Sequence, residues 1–429
     1  DTWGVELPLQ AFFQNPTVTA MASRIDRGDG LRPARVAEHL DLAAEVTLPC
    51  ETAISSPHRE PMSVPKSILL TGATGFLGAF LLYELLEQTD AHVYCLLRAC
   101  NAESGGHRLS RVLSAYLLDP SVLDSRVTVV PGDLAQPGLG MPAAEFDRLA
   151  ECIDAVYHNG AWVNLALPYD ILRAVNVQGT RAILNLAARV KSKPLHYVST
   201  LSVFPTQGAS SGTVHSEHDS PDDWRQLDDG YSQSKWVAEK TVALAAAKGL
   251  PVAIYRPGRI SGHSLTGAWN TSDFTCCFLK GCLRLGCAPC LDALGPDDMT
   301  PVDYVSRAIV HLARTRKADG GAYHLCNPSP FWWSTWFAYA NDHGHTVRLL
   351  PYAEWREHLL RASRDPIPNP LRPFMNLFSQ DLLLRERLPR FRSDIAAEAL
   401  ADSPIRCAPV DATLFGTYFA YFARSGFMG

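Results

Sequence analysis

The sequence predicts an α/β fold in which helices pack on both faces of a doubly wound parallel sheet, with a smaller, mainly helical lobe after it. Six short apolar runs alternate along residues 66–260 with segments of helical periodicity. A glycine-rich turn joins the first of these runs to the helical segment that follows it. The chain has 429 residues, of which 47% are hydrophobic, so it is long enough for two lobes with a large core.

The apolar runs predict where the strands lie. In chain order, the predicted strands are Ile68–Leu70, His92–Leu97, Val127–Val130, Ala155–His158, Leu195–Ser199 and Val252–Tyr255. Because helical segments separate them, successive strands are expected to run parallel. The first lobe is therefore predicted over residues 66–260. The second is predicted over residues 261–429, and some of its strands and helices could return to the first.

The turn after the first strand lies in Ser67–Gly78, SILLTGATGFLG. Gly72 can make the turn, Gly75 lets the backbone approach a pyrophosphate, and Gly78 lets the next helix pack close to the strand. The helix N-terminus would then hold the anion. Three glycines also suit an ordinary strand–helix turn, but the second strand ends at Arg98, twenty residues after Gly78, where such folds meet the adenosine ribose. The stretch therefore predicts a Rossmann-like dinucleotide site.

Three further strand ends carry residues that suit this site. Asp133 and Leu134 follow the third strand, where either a carboxylate beside the adenine or a simple turn would explain them. Asn159 and Ala161 follow the fourth strand, in a run of small residues that lets the cofactor lie against the strand end. The fifth strand runs into Thr200, whose hydroxyl can hold a substrate oxygen.

Tyr231 and Lys235 form the sharpest catalytic pattern in the sequence. They are four residues apart at the start of a helical segment, so their side chains share one face. Tyrosine has an unperturbed pKa of about 10, and a nearby ammonium group and a bound nicotinamide would favour its ionised form. The pair alone also suits a solvated helix face. Together with the glycine turn and Thr200, it predicts a tyrosine that exchanges a proton with a carbonyl substrate.

The charge balance and the apolar pattern argue against two classes of partner. The chain carries 39 Lys and Arg against 44 Asp and Glu, a net charge of -5, and no basic run suggests nucleic acid or an anionic membrane. No apolar run approaches the roughly 20 residues of a membrane span, and the N-terminus lacks the pattern of a signal peptide. We therefore expect a soluble, cytoplasmic protein whose cysteines are free thiols.

A group of cysteines has an alternative interpretation. Cys282, Cys287 and Cys290 have the C-x4-C-x2-C spacing of a plant-type iron–sulfur site, and Cys326 could be a fourth ligand. Their surroundings are apolar, and nothing else in the sequence resembles a ferredoxin. We therefore expect core cysteines and no bound metal.

The first 65 residues are predicted to form two short regions. Residues 1–26 contain scattered apolar positions and an Asn15-Pro16-Thr17 break, and they are too few for a domain. Residues 27–65 have Gly-Asp-Gly near their start and several prolines near their end. They are expected to form a linker that packs on the lobe after it.

Together these motifs resemble those of the extended short-chain dehydrogenase/reductases. The matching stretches are TGATGFLG, HNGAW, NVQGT, YVSTLSVF, YSQSKW and YRPGRI. Within that family, Lys66 to the C-terminus most resembles the terminal thioester reductase domains of nonribosomal peptide and polyketide synthases, and the reductase domain of carboxylic acid reductases. The details that point there are VYCLLRA, the insertion Cys100–Arg126, TPVDYV at Thr300–Val305 and the ending YFARSGF. Residues 1–26 resemble the tail of a carrier domain without its phosphopantetheine-bearing serine.

The resemblance implies a set of site residues. Thr200, Tyr231 and Lys235 would be catalytic, and Asn176 of NVQGT would either support a proton relay or link two elements through a hydrogen bond. The cofactor contacts would be Gly72, Thr74, Gly75, Phe76, Leu77, Gly78, Arg98, Arg108, Asp133, Leu134, Asn159, Ala161, Tyr231, Lys235, Pro257 and Gly258. Arg98, which Arg108 could join, replaces the acidic residue that binds a free ribose 2′-hydroxyl, so NADPH is expected rather than NADH.

The resemblance also implies a reaction and a partner. An acyl or peptidyl chain tethered by phosphopantetheine would arrive from an upstream carrier domain, and hydride reduction of its thioester would give a thiohemiacetal that releases an aldehyde. A second NADPH could reduce the aldehyde to the alcohol. Eight aromatic residues of the second lobe could line the acyl channel or form a core: Trp269, Phe274, Phe278, Phe331, Trp332, Trp333, Trp336 and Phe337.

Two other functions remain open. A related extended dehydrogenase/reductase acting on a free carbonyl, a nucleotide sugar or a steroid would share Thr200, Tyr231 and Lys235, but not the carrier-like residues 1–26. A non-catalytic dinucleotide-binding module would have no need of the intact catalytic set.

Overall fold

The computed structural model describes residue 22 and residues 41–49, 64–123, 125–206, 213–362, 369–378 and 388–428. Its strands are β1 (Ser67–Thr71), β2 (His92–Leu97), β3 (Val127–Pro131), β4 (Ala155–His158), β5 (Leu195–Val198), β6 (Val214–His215), β7 (Val252–Pro257), β8 (Ile260–Ser261), β9 (Cys287–Pro289), β10 (Thr300–Pro301), β11 (Asp319–Leu325), β12 (Arg348–Leu350) and β13 (Arg390–Phe391). Its α-helices are α1 (Phe76–Gln88), α2 (Ala102–Ala115), α3 (Ala143–Cys152), α4 (Tyr169–Arg173), α5 (Gly179–Ala188), α6 (Gly230–Ala247), α7 (Phe274–Leu285), α8 (Val302–Thr315), α9 (Trp333–Asp342), α10 (Tyr352–Ala362), α11 (Asp394–Ala399) and α12 (Ala412–Arg424). A π-helical turn, Ala174–Gln178, joins α4 to α5.

Seven strands form one parallel sheet in the order β11-β7-β5-β4-β1-β2-β3. The six predicted strands correspond to β1, β2, β3, β4, β5 and β7, with ends that differ by at most two residues. The chain builds from β1 to β3 on one side and then from β4 to β11 on the other. The order reverses between β1 and β4, so a crevice opens at the carboxyl ends of these strands, where such sheets bind ligands. The predicted parallel sheet is confirmed.

The sequence analysis does not predict β11, which comes from the C-terminal part of the chain. This strand pairs in parallel with β7, and its register shifts between Asp319 and Ala322. Gly320 and Gly321 lie within that shift and interrupt the apolar pattern that would mark a strand. Helix α8 packs against α1. Residues after 260 therefore complete the first lobe as well as forming the second.

Helix α1 is packed into the core, which explains its apolar sequence. Leu81, Leu82 and Leu85 are fully buried, together with the other apolar residues on its inner faces. Burial of each such side chain contributes about 1.5–3 kcal/mol relative to exposure. The helix begins at Phe76, directly after the glycine turn, so this packing fixes the helix N-terminus at the crevice.

The second lobe has an aromatic core. For example, Trp269 stacks on Phe422 with ring centroids 5.8 Å apart. Six of the eight aromatic residues singled out above are buried in this core: Trp269, Phe278, Phe331, Trp333, Trp336 and Phe337. Trp332 is 43% exposed, and Phe274 lies at the cavity described below. Core packing therefore explains most of the set.

Residues 41–49, in the predicted linker, pack on the first lobe. Leu42 is buried in a cluster that includes Tyr169 and Trp236. Glu45 accepts a hydrogen bond from Arg173 Nε at 3.0 Å. The predicted carrier tail, residues 1–26, lies outside the described residues except for residue 22, and most of the linker lies outside them as well. The identities of these two regions stay predictions.

Two further expectations concern metal binding and membranes. In the described parts of the chain, no group of three or more His, Cys, Asp or Glu side chains could hold a metal ion. Cys282 and Cys287 are buried in the core, whereas Cys290 is exposed. The geometry therefore gives the iron–sulfur alternative no support. Among the helices described here, none combines the length and the apolar character needed to cross a bilayer.

Candidate active site

The turn between β1 and α1 has the geometry that its glycines predict. Gly72 adopts a φ of +74°, and a Cβ atom there would lie 2.8 Å from the Cα of Gly160. A Cβ at Gly78 would lie 1.9 Å from the Gly72 carbonyl oxygen, so α1 packs directly on the turn. Gly75 provides no side-chain cap for α1, which leaves backbone N–H groups of its first turn available at the crevice. This helix end suits an anionic phosphate.

A cavity of about 1050 Å³ opens at the carboxyl ends of β1, β4, β5 and β7. The predicted cofactor residues that line it are Gly72, Thr74, Gly75, Phe76, Leu77, Arg98, Arg108, Asp133, Leu134, Asn159, Ala161, Pro257 and Gly258. Thr200, Tyr231 and Lys235 line it as well. Gly78 and Asn176 do not, since each packs behind the cavity wall. The structure thus brings nearly all predicted site residues together around one space.

Arg98, Arg108 and Asp133 line the end of the cavity expected for the adenosine. Arg108 Nη1 donates a hydrogen bond to the Arg98 carbonyl oxygen at 3.2 Å, which keeps the two arginines together. The Asp133 carboxylate accepts a hydrogen bond from the N–H of Ala135 at 2.9 Å. Asp133 therefore stabilises its own turn while lining the cavity, so both interpretations left open for it fit. With the uncapped helix end beside them, these residues fit a dinucleotide.

Tyr231 lies in the first turn of α6, beside the cavity. The Asp229 carboxylate caps this helix by accepting a hydrogen bond from the N–H of Ser232 at 2.8 Å. The Thr200 hydroxyl is close enough to the Tyr231 phenol to lower its pKa, and both side chains line the cavity. Thr200 Oγ1 also accepts a hydrogen bond from the N–H of Ser202 at 3.2 Å. The Tyr231 and Thr200 hydroxyls can therefore both bind one substrate carbonyl oxygen.

The Tyr231 phenol is a buried group with a raised pKa. Burial and the nearby Asp229 carboxylate raise this pKa above its usual value of about 10, and the nearby Thr200 hydroxyl opposes the rise. The shift towards the ionised form, expected with a nicotinamide bound beside the phenol, stays a prediction. A phenol that keeps its proton suits a proton donor in a reduction.

Lys235 is buried one helical turn after Tyr231. Burial lowers the pKa of its ammonium group to about 7, and the Glu239 carboxylate opposes this change. Lys235 Nζ donates hydrogen bonds to the Tyr197 hydroxyl at 2.8 Å and to the Val198 carbonyl at 2.7 Å. An ammonium group has three donors, so one remains for a ligand in the cavity that Lys235 lines.

Glu239 is a buried residue of this site that the sequence analysis missed. It forms an ion pair with Arg256 of β7 at 2.8 Å. It also accepts a hydrogen bond from the hydroxyl of Ser199, the neighbour of Thr200. The sequence does contain a signal for this ion pair. Glu239 is four residues after Lys235 on the same helix face, and an arginine, Arg256, lies in the next strand.

Asn176 lies in the π-helical turn, with its side-chain amide occupied. Its Oδ1 accepts a hydrogen bond from the N–H of Trp162 at 2.7 Å, and its Nδ2 donates to the Trp162 carbonyl at 3.1 Å. The same Nδ2 donates to Ser234 Oγ at 2.9 Å. Asn176 thus links the loop after β4 to α6, which is the alternative left open above. Its place in a proton relay stays a prediction.

Asp298 holds the Pro257-Gly258 turn and was not anticipated. A Cβ at Gly258 would lie 1.9 Å from Asp298 Oδ2. The same oxygen accepts a hydrogen bond from the N–H of Arg259 at 2.8 Å, and Oδ1 accepts one from the N–H of Asn327 at 2.7 Å. Burial raises the pKa of the Asp298 carboxyl to about 7. A residue of the second lobe therefore fixes this turn of the cavity wall, where the nicotinamide is expected.

The rest of the cavity lining contains a group of apolar side chains, which was also missed from sequence, beside polar ones such as Asn270, Asp273 and Asp297. The apolar side chains come from the loop after β4, the residues after β5, the start of α7 and the region around β13. They include Trp162, Val163, Leu165, Phe204, Phe274, Pro296, Leu388, Pro389 and Phe391. Only Phe274 was among the aromatic residues singled out. This group can hold an apolar chain next to Thr200 and Tyr231.

Known proteins share this arrangement of turn, sheet and site. Residues 70–309 match the family described as "Male sterility protein", of the NAD-binding type. The chain belongs to this family. It is thus an oxidoreductase that uses a nicotinamide dinucleotide, as the glycine turn and the Tyr231 site predict.

Solved structures of reductase domains are also similar to this chain. The terminal R domain from the myxalamid PKS-NRPS biosynthetic pathway is 44% identical, with a TM-score of 0.84, over 90% of this chain and 97% of that one. A reductase (R) domain of a nonribosomal peptide synthetase from Mycobacterium tuberculosis is 28% identical, with a TM-score of 0.71, over 90% and 96% of the two chains. The resemblance to terminal reductase domains is confirmed.

A curated relative matches nearly the whole chain. This relative, a subunit of the linear gramicidin synthase of Brevibacillus parabrevis, is 39% identical over 427 residues, which is 98% of this chain and 8% of that protein. The chain spans less than half the length of the curated relatives it matches. The similarity thus concerns one part of each larger protein.

Proposed function

We propose that this chain catalyses the NADPH-dependent reductive release of a carrier-bound acyl or peptidyl thioester as an aldehyde. The observation that carries the proposal is the position of the Thr200 and Tyr231 hydroxyls. They line the cavity between the residues that suit a dinucleotide and the group of apolar side chains. The similarity to reductase domains of peptide and polyketide synthases supports this choice of substrate class.

NADPH is proposed because two arginines line the adenosine end. Arg98 and Arg108 are held together by a hydrogen bond, and no ion pair with either is found in the described part of the chain. Guanidinium groups bind phosphate in a planar, bidentate manner. A ribose 2′-phosphate would supply the anion that these two groups lack.

The chain's own groups can carry the proton chemistry. When bound, the nicotinamide supplies a hydride to the thioester carbonyl carbon. Thr200 and Tyr231 donate hydrogen bonds to the carbonyl oxygen, and Tyr231 transfers its proton to the oxygen as negative charge develops. The charged form of Lys235, one turn away, stabilises the phenolate that remains. The resulting thiohemiacetal then breaks its C–S bond and gives an aldehyde and a free thiol.

A carrier domain upstream is the proposed source of the substrate. The carrier-like residues 1–26 and the match of 98% of the chain to part of a peptide synthase support this arrangement. Tethering would make delivery intramolecular, with an effective concentration up to the millimolar range. Reduction of the aldehyde to the alcohol by a second NADPH is compatible with the same site.

Mass spectrometry of the released product tests the proposal. The protein is incubated with NADPH and a synthetic acyl pantetheine thioester, and the expected products are the matching aldehyde or alcohol and free pantetheine. A second reaction supplies a nucleotide sugar, the substrate class of a related enzyme type. Turnover of the nucleotide sugar without release from the thioester would refute the proposal.

A further inference from the structure

A short two-stranded sheet carries part of the apolar cavity lining. Strands β6 and β13 pair in parallel, with Arg390 opposite Val214 and Phe391 opposite His215. The N–H of Arg392 donates a hydrogen bond to the His215 carbonyl oxygen at 2.8 Å. Phe391, which lines the cavity, belongs to this pair and not to the seven-stranded sheet. Its position therefore depends on what holds β13 to the rest of the molecule.

Glu217, two residues after β6, is a buried carboxylate that the proposed mechanism does not use. Its Oε1 accepts hydrogen bonds from the N–H groups of Ala396 at 2.8 Å and His324 at 3.1 Å. Its Oε2 accepts one from the N–H of Ile395 at 2.7 Å. Ile395 and Ala396 lie in the first turn of α11, and Ser393 before this helix provides no side-chain cap. Glu217 therefore caps α11 and ties it to β11.

His324 of β11 forms a second link, to the residue after Phe391. Its Nδ1 lies 2.8 Å from the Arg392 carbonyl oxygen, which can only accept, so Nδ1 carries the proton. Its Nε2 lies 3.2 Å from Arg256 Nη1, which can only donate, so Nε2 accepts. Both hydrogen bonds require a neutral imidazole. Burial and the Arg256 charge lower the pKa of His324 to about 4, which agrees with that requirement.

Arg256 connects this link to the catalytic strand end. It forms an ion pair with Glu239 of α6 at 2.8 Å, and both side chains are buried. Glu239 accepts a hydrogen bond from the hydroxyl of Ser199, the neighbour of Thr200. Hydrogen bonds between buried side chains therefore run from the end of β5, across β7 and β11, to the backbone of Arg392.

Four rings pack around the same segment. The centroid of the Phe391 ring lies 5.7 Å from that of Phe204, and the His324 ring meets it edge-on at 5.8 Å. The His215 ring stacks on both Phe204 and Phe391, at 4.4 Å and 5.7 Å. Phe204 lies four residues after Thr200 and lines the cavity as well. These contacts place the two phenylalanine rings together in one part of the cavity wall.

We propose that Glu217 and His324 are positioning residues that hold Phe391 in the cavity wall and thereby set the affinity for the apolar part of the acyl chain. The inference rests on the proposed function, which places an acyl chain in this cavity. A substrate whose chain reaches Phe391 should depend on both residues, whereas a substrate too short to reach it should not. A merely structural role would affect both substrates alike.

The experiment compares acetyl and octanoyl pantetheine thioesters, and the matching aldehydes, as substrates of the unmodified protein and of two variants. Glu217→Gln keeps the size of the side chain, but an amide NH2 group replaces one of the two accepting oxygens. His324→Phe keeps a ring beside Phe391 and loses the hydrogen bond to the Arg392 carbonyl. In both variants we expect the octanoyl KM to rise about fivefold. The acetyl KM and the affinity for NADPH should not change.

Asp154→Asn is the matched control. The Asp154 carboxylate also accepts hydrogen bonds from backbone N–H groups of a distant segment, those of Lys66 and Ser67, at 3.0 Å each. It does not line the cavity. This variant should lose stability and keep both KM values. A rise in the octanoyl KM equal to that of Glu217→Gln would contradict the inference.

A double variant tests whether Glu217 acts through Phe391. Glu217→Gln should have little further effect on the octanoyl KM when it is added to Phe391→Leu, because both changes then alter the same contact. Full additivity, an unchanged octanoyl KM in both single variants, or an equal rise with the acetyl substrate would overturn the inference. If Glu217→Gln does not fold, His324→Phe with and without Phe391→Leu decides. Reduction of the aldehydes but not the thioesters would refute the proposed function, and the aldehyde KM values would still decide the inference.

Discussion

The proposed cofactor end and the proposed substrate end of the cavity are built from different kinds of chain segment. The proposed cofactor end uses mainly short stretches that directly follow β1, β2, β3, β4 and β7, so most of its residues lie beside the strand that positions them. The substrate end uses side chains from segments as distant as Trp162, Phe274 and Phe391, which only the packing of the second lobe brings together. Thr200, at the end of β5, lies where the two ends meet.

This difference suggests that the two ends can be perturbed separately. A change at the cofactor end should alter NADPH binding and leave the KM for the thioester unchanged. A change at the substrate end should alter the KM for the thioester and leave NADPH binding unchanged. Only changes at the junction of the two ends should lower kcat while leaving both binding steps in place.

The largest effect is expected at that junction, from Tyr231→Phe. The ring is kept, but the proton donor is lost, so kcat should fall by about 10²-fold or more. NADPH affinity, measured by fluorescence titration, should stay close to that of the unmodified protein. Tyr255→Phe, which removes a buried hydroxyl outside the cavity, serves as the control. A nearly normal rate for Tyr231→Phe would show that another group donates the proton.

Gly258→Ala should have the next largest effect and test the nicotinamide turn. Its Cβ would lie 1.9 Å from Asp298 Oδ2, and the hydrogen bonds of Asp298 to two backbone N–H groups prevent an easy shift. We expect NADPH to bind at least about tenfold more weakly. Gly416→Ala is the control, since no atom lies within 4 Å of its Cβ position. Unchanged NADPH affinity in Gly258→Ala would place the cofactor elsewhere.

Arg98→Ala tests the adenosine end. Loss of a charge-assisted hydrogen bond to a 2′-phosphate should reduce the preference for NADPH over NADH by about tenfold. The ratio of kcat/KM values for the two cofactors is the measurement. Arg111→Ala provides the control, because Arg111 is on the same helix as Arg108 but does not line the cavity. Equal use of both cofactors by the unmodified protein would contradict the proposed specificity.

The smallest effect is expected from Phe274→Leu at the substrate end. Loss of the ring should raise the KM for an acyl thioester about twofold to fivefold and leave NADPH affinity unchanged. Phe278→Leu makes the same change one helical turn further on, at a residue buried in the core. It should lower the free energy of unfolding by about 1–2 kcal/mol without affecting KM. Equal KM values for the two variants would show that the Phe274 ring does not contact the acyl chain.

The same contrast explains how much could be predicted from the sequence. The cofactor residues follow predicted strands, so a strand end, a glycine turn and a four-residue spacing were enough to locate Gly72, Arg98 and Tyr231. Asp298 and Phe391 reach the cavity only through the packing of the second lobe, which leaves no local pattern. The raised pKa of Tyr231 likewise depends on its burial, and spacing along a helix carries no information on burial.

The assay that tests the central claim most directly follows NADPH oxidation with a free acid, a pantetheine thioester and an aldehyde of one acyl chain. A hydride does not readily reduce an unactivated carboxylate, and no residue in the proposed mechanism would activate one. The mechanism predicts turnover of the thioester, weaker use of the small free aldehyde and none of the acid. Reduction of the acid without ATP or an added partner would contradict it.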